Sequence, residues 1–105
     1  MKQFKVITLC GSTRFRKEFE RINKKLTLEG NVVISVGCFG HAGDTISQEQ
    51  KELLDQIHLQ KIDMADEVFV INVDGYIGKS TSREIKYALS VGKPVVYLEE
   101  PDDRT

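Results

Sequence analysis

An alternation of two hydrophobic periods constrains this chain more than any other feature. Four short apolar runs are separated by three longer segments whose apolar residues recur at helical spacing. Residues 4–10 (Phe-Lys-Val-Ile-Thr-Leu-Cys), 32–36 (Val-Val-Ile-Ser-Val), 67–72 (centred on Val68-Phe69-Val70-Ile71) and 95–98 (Val-Val-Tyr-Leu) read as strands. Phe15, Phe19, Ile22 and Leu26 predict a helix from Arg14 to about Leu28, stopped by Glu29-Gly30-Asn31. A second helix is expected from Ser47 to about Met64, opened by a capping box of Ser47 with Gln50, with Leu53, Leu54 and Ile57 facing inward. A third begins at Ser80-Thr81-Ser82 and ends at Gly92.

Strands separated by helices pair in parallel through right-handed crossovers. Short, continuous apolar runs suit strands covered on both faces. The expected fold is therefore α/β, a flavodoxin-like three-layer sandwich with a four-stranded parallel sheet in order 2-1-3-4. With 105 residues, the chain is read as one domain spanning residues 1–105.

The totals narrow the function classes. A net charge of −1 argues against a nucleic-acid partner, which usually calls for a strongly basic domain. Arg14, Arg16, Lys17, Arg21, Lys24 and Lys25 crowd the first helix, but Glu18 and Glu20 interleave with them as on a solvated face. Glu99, Glu100, Asp102 and Asp103 make the C-terminus acidic. The two cysteines, Cys10 and Cys38, show no disulfide framework or zinc-ligand spacing, and Cys10 reads as buried packing. No apolar targeting segment or membrane-length run is present, so a cytoplasmic protein with no membrane partner, no metal and no cofactor is expected.

In an open parallel sheet, ligands bind beyond the carboxyl ends of the strands, where the strand order reverses. Three loops rich in Gly, Ser or Thr leave that edge: Gly11–Thr13, Gly37–Ser47 and Asp74–Ser80. Gly11 permits a sharp turn after the first strand. Ser12 and Thr13 place hydroxyls beside the open amides of the first helix, and Arg14 can grip a phosphate through two parallel hydrogen bonds. Alternatively, Ser12 or Thr13 only caps the helix. The loop matches neither a dinucleotide fingerprint nor a Walker P-loop. In the third loop, Gly75 and Gly78 allow close approach of a ligand, and Tyr76 is placed to stack on a base or sugar. Glu84 follows in the helix behind Ser80, Thr81 and Ser82. It is either a surface carboxylate paired with the helix dipole or a nucleophile or general base facing the first loop. Asp44 is a ribose-hydroxyl partner or a turn residue, and His41 a ligand contact or an exposed loop histidine.

Three segments carry a resemblance: Cys10-Gly11-Ser12-Thr13-Arg14, Ile62-Asp63-Met64-Ala65-Asp66, and Gly78-Lys79-Ser80-Thr81-Ser82-Arg83-Glu84-Ile85-Lys86-Tyr87-Ala88. In order and spacing the chain resembles the nucleoside 2-deoxyribosyltransferase superfamily over residues 6–98. The resemblance includes the branch that hydrolyses the N-glycosidic bond of 2'-deoxynucleoside 5'-monophosphates. It implies a homodimer or higher homo-oligomer, a nucleotide or similar phosphorylated small molecule as partner, and Glu84 attacking the anomeric carbon. It also implies 5'-phosphate binding by Gly11, Ser12, Thr13 and Arg14 with Ser80 and Ser82. In the family an aspartate stands eight residues before the aspartate of the Ala-Asp turn; counting back from Asp66 gives His58. Asp55 is the nearest carboxylate on that helix. A histidine there either protonates a leaving base or sits hydrogen-bonded at the core margin on the Leu54, His58, Ile62 stripe, about 15 Å along the helix. The expected function is nucleotide binding with cleavage or transfer at an N-glycosidic bond. The alternatives are a nucleotide-binding sensor of the same fold and a plain interaction domain.

Overall fold

A computed structural model of the chain describes residues 3–40 and 43–101. Strand β1 spans Val6–Gly11, β2 Val32–Ile34, β3 Glu67–Ile71 and β4 Val95–Tyr97. Helices α1 (Arg16–Leu28), α2 (Gln48–Asp63) and α3 (Lys79–Ser90) alternate with them. All neighbouring strands are parallel, in the order β2-β1-β3-β4, so the expected flavodoxin-like α/β sandwich holds.

The layers follow from the period of the central strands. Alternate residues of a strand point to opposite faces. Ile7 and Leu9 of β1 and Ile71 of β3 join Phe19, Ile22 and Leu26 of α1 in one core. Cys10, Val68 and Val70 turn the other way and pack with Ile62 of α2 and with Ile85 and Ala88 of α3. Cys10 is thus committed to the α2–α3 side, which matters for the site. Thr8 shares that face, and its hydroxyl donates to the Lys61 carbonyl at 2.8 Å.

Three expectations are corrected. The first helix does not start at Arg14: a 3-10 turn over Thr13–Phe15 intervenes, closed by Phe15 N–H donating to the Ser12 carbonyl at 3.0 Å. Strand β2 ends at Ile34, its last partner on β1, and the next carbonyl, that of Ser35, accepts from Lys61 Nζ at 2.8 Å instead. Leu53 and Ile57 do not face inward; they are 56% and 41% exposed. Helix α2 carries two apolar stripes, and the sheet takes the one through His58 and Ile62. Leu53, Ile57 and Met64 lie along the other, in solvent. The capping box of Ser47 and Gln50 forms as expected.

Gly11 ends β1 against β3. A Cβ there would stand 2.8 Å from the Ile71 carbonyl oxygen, a backbone atom that cannot swing aside. The turn into the first loop therefore has room only for glycine. At the far end of β3, buried Asn72 bonds both backbone groups of Glu99, and the Glu99 carboxylate accepts from Asp74 N–H at 2.7 Å. The last described residues thus pin the third loop, where Asp74 adopts a left-handed conformation with φ of 55°.

Candidate active site

A cleft of about 520 Å³ opens at the carboxyl edge of the strands, between α2 and α3. It falls within the size range of small-molecule sites, roughly 300–1,000 Å³. Gly11, Ser12, Thr13, Arg14, Asp44, His58, Tyr76, Gly78, Ser80 and Glu84 all line it. Gly75 and Ser82 are not among the lining residues: Gly75 sits on the outer turn at φ of 79°, and Ser82 N–H closes the first turn of α3 on the Gly78 carbonyl. His41 lies outside the described residues.

The first loop is built partly by its own side chains. Ser12 Oγ accepts from the Arg14 amide at 3.3 Å and from Arg14 Nε at 3.2 Å. Ser12 thus caps the 3-10 turn and not α1, whose N-cap, Phe15, makes no side-chain cap bond, and it also orients the guanidinium. That group lies 4.3 Å over the Tyr76 ring and donates to its hydroxyl at 3.2 Å. Phe15 meets the same ring edge-on with centroids 6.0 Å apart. Arg14 and Tyr76 thereby join the first and third loops across the rim. Beside the Tyr76 hydroxyl, Gly78 opens α3 with no side-chain cap on its first amides.

The floor is a cluster of three reactive groups. Cys10 Sγ lies 3.3 Å from His58 Nε2, and His58 Nε2 lies 3.8 Å from Glu84 Oε1. Cys10 is fully buried, and His58 is 6% exposed. Its place along α2 does not keep His58 from the cleft, which it lines together with Glu84. Ser47, Gln48 and Lys51, from the opening of α2, line the cleft along with His58.

Burial sets the protonation states. It pushes the Glu84 carboxyl up to about 7, helped by the nearby negative charge of Asp55 and opposed by hydrogen bonding to Cys10 and by Lys51 and Arg83. Burial also drives His58 down to about 4, aided by Lys61 and opposed by Asp55 and by a hydrogen bond to the Leu9 carbonyl. The Cys10 thiol is raised well above its usual value by burial and then by Glu84. At neutral pH the imidazole is neutral, so it is no ready acid for a leaving base. Its close approach to Glu84 is a contact with an uncharged ring, not an ion pair. The buried, hydrogen-bonded reading of His58 holds, and the residue faces the cleft as well.

Sequence reasoning missed Lys51, Lys61, Leu54 and Cys38, which also line the cleft. Lys51 bridges α2 to α3, donating to Asp55 at 3.2 Å and to Ser80 Oγ at 3.4 Å. The available signal was their spacing: Lys51, Leu54, Asp55, His58 and Lys61 recur every three or four residues along one face of α2. Among the described residues, no helix is long and apolar enough to cross a membrane. No family model and no curated protein matches the chain.

Proposed function

We propose that this protein binds a nucleoside 5'-monophosphate in the cleft and cleaves or transfers at its N-glycosidic bond, with Glu84 as nucleophile. One observation carries the reading. A carboxylate buried to the point of titrating near neutrality shares a single cleft with an arginine-bearing loop and an uncapped helix start. The loop suits a phosphate and the carboxylate suits an electron-poor anomeric carbon. The resemblance of both segments to nucleoside 2-deoxyribosyltransferases supports the same roles.

Phosphate held by the Ser12–Arg14 backbone, the Arg14 guanidinium and Ser80 would fix one end of the substrate. Tyr76 offers a face for the sugar or base, and Asp44 an acceptor for a hydroxyl. The Glu84 carboxylate attacks the anomeric carbon as the bond to the base breaks, and the base leaves with a proton from solvent. Water, or a second base in transfer, then displaces the sugar from Glu84. Chromatography of deoxynucleoside monophosphates incubated with the protein tests this, with Glu84→Ala as control. Equal base release by both proteins would remove Glu84 from the chemistry.

The protonation state gives a sign. An attacking Glu84 must be ionised, so kcat/KM should rise with pH through about 7 and then level. Burial sets that inflection, and the facing groups Asp55, Cys10, Lys51 and Arg83 adjust it, with His58 also beside the carboxylate. A fall in kcat/KM over that range would instead make Glu84 a proton donor.

A second reading is a sensor that holds a nucleotide without turnover. It is favoured by the neutral His58, which stands where the resembling family carries an aspartate. A nucleotide that raises the melting temperature and is recovered intact would select it. The exposed stripe of Leu53, Ile57 and Met64 supports self-association through α2. Light scattering is expected to give a dimer for the native chain and a monomer for Leu53→Glu; equal masses would exclude this face.

A further inference from the structure

The floor cluster has a composition that sugar chemistry does not require. A glycosidic nucleophile needs one carboxylate, yet here a thiol and an imidazole from two other elements converge on it. Cys10 lies near the end of β1, His58 within α2, and Glu84 in α3. A core position that could hold leucine or valine instead holds polar groups, which are costly to bury without partners.

The geometry points to a binding site for a thiophilic divalent cation, zinc above all, formed by Cys10 Sγ, His58 Nε2 and a Glu84 carboxylate oxygen. Ligands placed about 2.0–2.3 Å from a tetrahedral zinc ion stand roughly 3.3–3.7 Å from one another. The sulfur–nitrogen and nitrogen–oxygen separations are 3.3 and 3.8 Å, and all three ligand atoms lie within 4.8 Å of one another. Drawing the sulfur and the carboxylate oxygen together by about an ångström at most closes the site. Thiolate and carboxylate together offset the dication, so the filled cluster is neutral in a buried place. The Leu9 carbonyl accepts a hydrogen bond from the His58 ring, the kind of backbone partner that fixes a ligating imidazole. Sulfur and nitrogen donors favour zinc or cobalt over magnesium or calcium, which take oxygen shells. His58 and Glu84 border the cleft, which leaves the fourth position open to water or to a bound anion.

Metal binding rests on the cluster alone; its consequence for catalysis rests on the proposed function. A carboxylate held by zinc cannot attack a sugar, so the two uses of Glu84 exclude each other and zinc inhibits base release.

Cobalt(II), which reports thiolate ligation and coordination number in its spectrum, is the probe, added to the full chain without nucleotide. One equivalent should produce a thiolate-to-cobalt charge-transfer band in the near ultraviolet and strong visible bands of four-coordinate cobalt. Zinc should displace it. Cys10→Ser should abolish the charge-transfer band. Glu84→Gln, which removes a buried charge and should not endanger folding, should weaken cobalt binding at least about tenfold through the lost anionic ligand. Cys38→Ser should leave the band intact, which separates the cluster from the other thiol bordering the cleft. Arg14→Ala should also keep it, so loss of nucleotide binding and loss of metal binding are read independently. Absence of the band in the native chain, its persistence in Cys10→Ser, unchanged affinity in Glu84→Gln, or its loss in Cys38→Ser would each overturn the assignment.

Discussion

Glu84→Gln is expected to yield a protein that is more stable than the native chain at pH 8 and has lost base release by about 10²-fold or more. Both effects come from the same burial. The folded carboxyl titrates at about 7 against an ordinary value of 4.5. Below pH 4.5 it is protonated whether folded or unfolded and has no effect on their balance. Between 4.5 and 7 the unfolded chain loses the proton while the folded one keeps it, so stability falls as pH rises. Above 7 the deficit is complete, on the order of 3 kcal/mol. Glutamine has nothing to ionise and escapes that deficit, which for a domain of this size corresponds to a melting temperature roughly 10–20 °C higher.

His58 shapes the same profile in the opposite sense. Its folded value of about 4 lies below the ordinary 6.5, so its neutral form supports the fold at high pH, and that support fades as pH drops from 6.5 towards 4. In the native chain the two slopes oppose each other between 4.5 and 6.5, and stability should be nearly flat there. Glu84→Gln should uncover the rising slope of His58. Denaturant unfolding of both proteins at pH 4.5, 6 and 8 checks this. Equal stability at pH 8 would mean that Glu84 is solvated and not the buried group described above.

Arg14→Ala should weaken nucleoside monophosphate binding by about 10- to 100-fold, the worth of one or two charge-assisted hydrogen bonds to phosphate. Binding of the nucleoside without phosphate should change little. Stability should hold within about 0.5 kcal/mol, because the side chain is exposed and its partners are the rim groups Ser12 and Tyr76. Arg14→Lys should recover only part of the affinity, since a lysine keeps the charge and loses the planar fork. Calorimetry with both ligands reads the contrast. An equal loss for nucleoside and nucleotide would mean that Arg14 acts through the Tyr76 stack and not through phosphate.

The strand order and both faces of the sheet were legible because they depend on short-range period: alternate residues of β1 and β3 sort between two cores. The rim was legible for a similar reason, since loops that leave one edge of a parallel sheet must converge. The floor was not. Cys10 and His58 stand 48 residues apart, and no spacing links them. Only the chance that β1 turns Cys10, and not Leu9, towards α2 brings them together. Leu53 and Ile57 misled because α2 is apolar on two sides, and sequence period cannot say which side meets the sheet. Ser12 was ambiguous between cap and ligand contact because the same oxygen can serve both; the structure shows it capping the 3-10 turn that precedes α1.

A crystal structure of Glu84→Gln with a deoxynucleoside 5'-monophosphate tests the shared cleft most directly. Phosphate oxygens are expected within hydrogen-bond distance of the Ser12–Arg14 backbone, and the anomeric carbon about 3–3.5 Å from the residue-84 side chain. A phosphate bound away from that turn, or a sugar on the far side of Tyr76 with no path to residue 84, would contradict it.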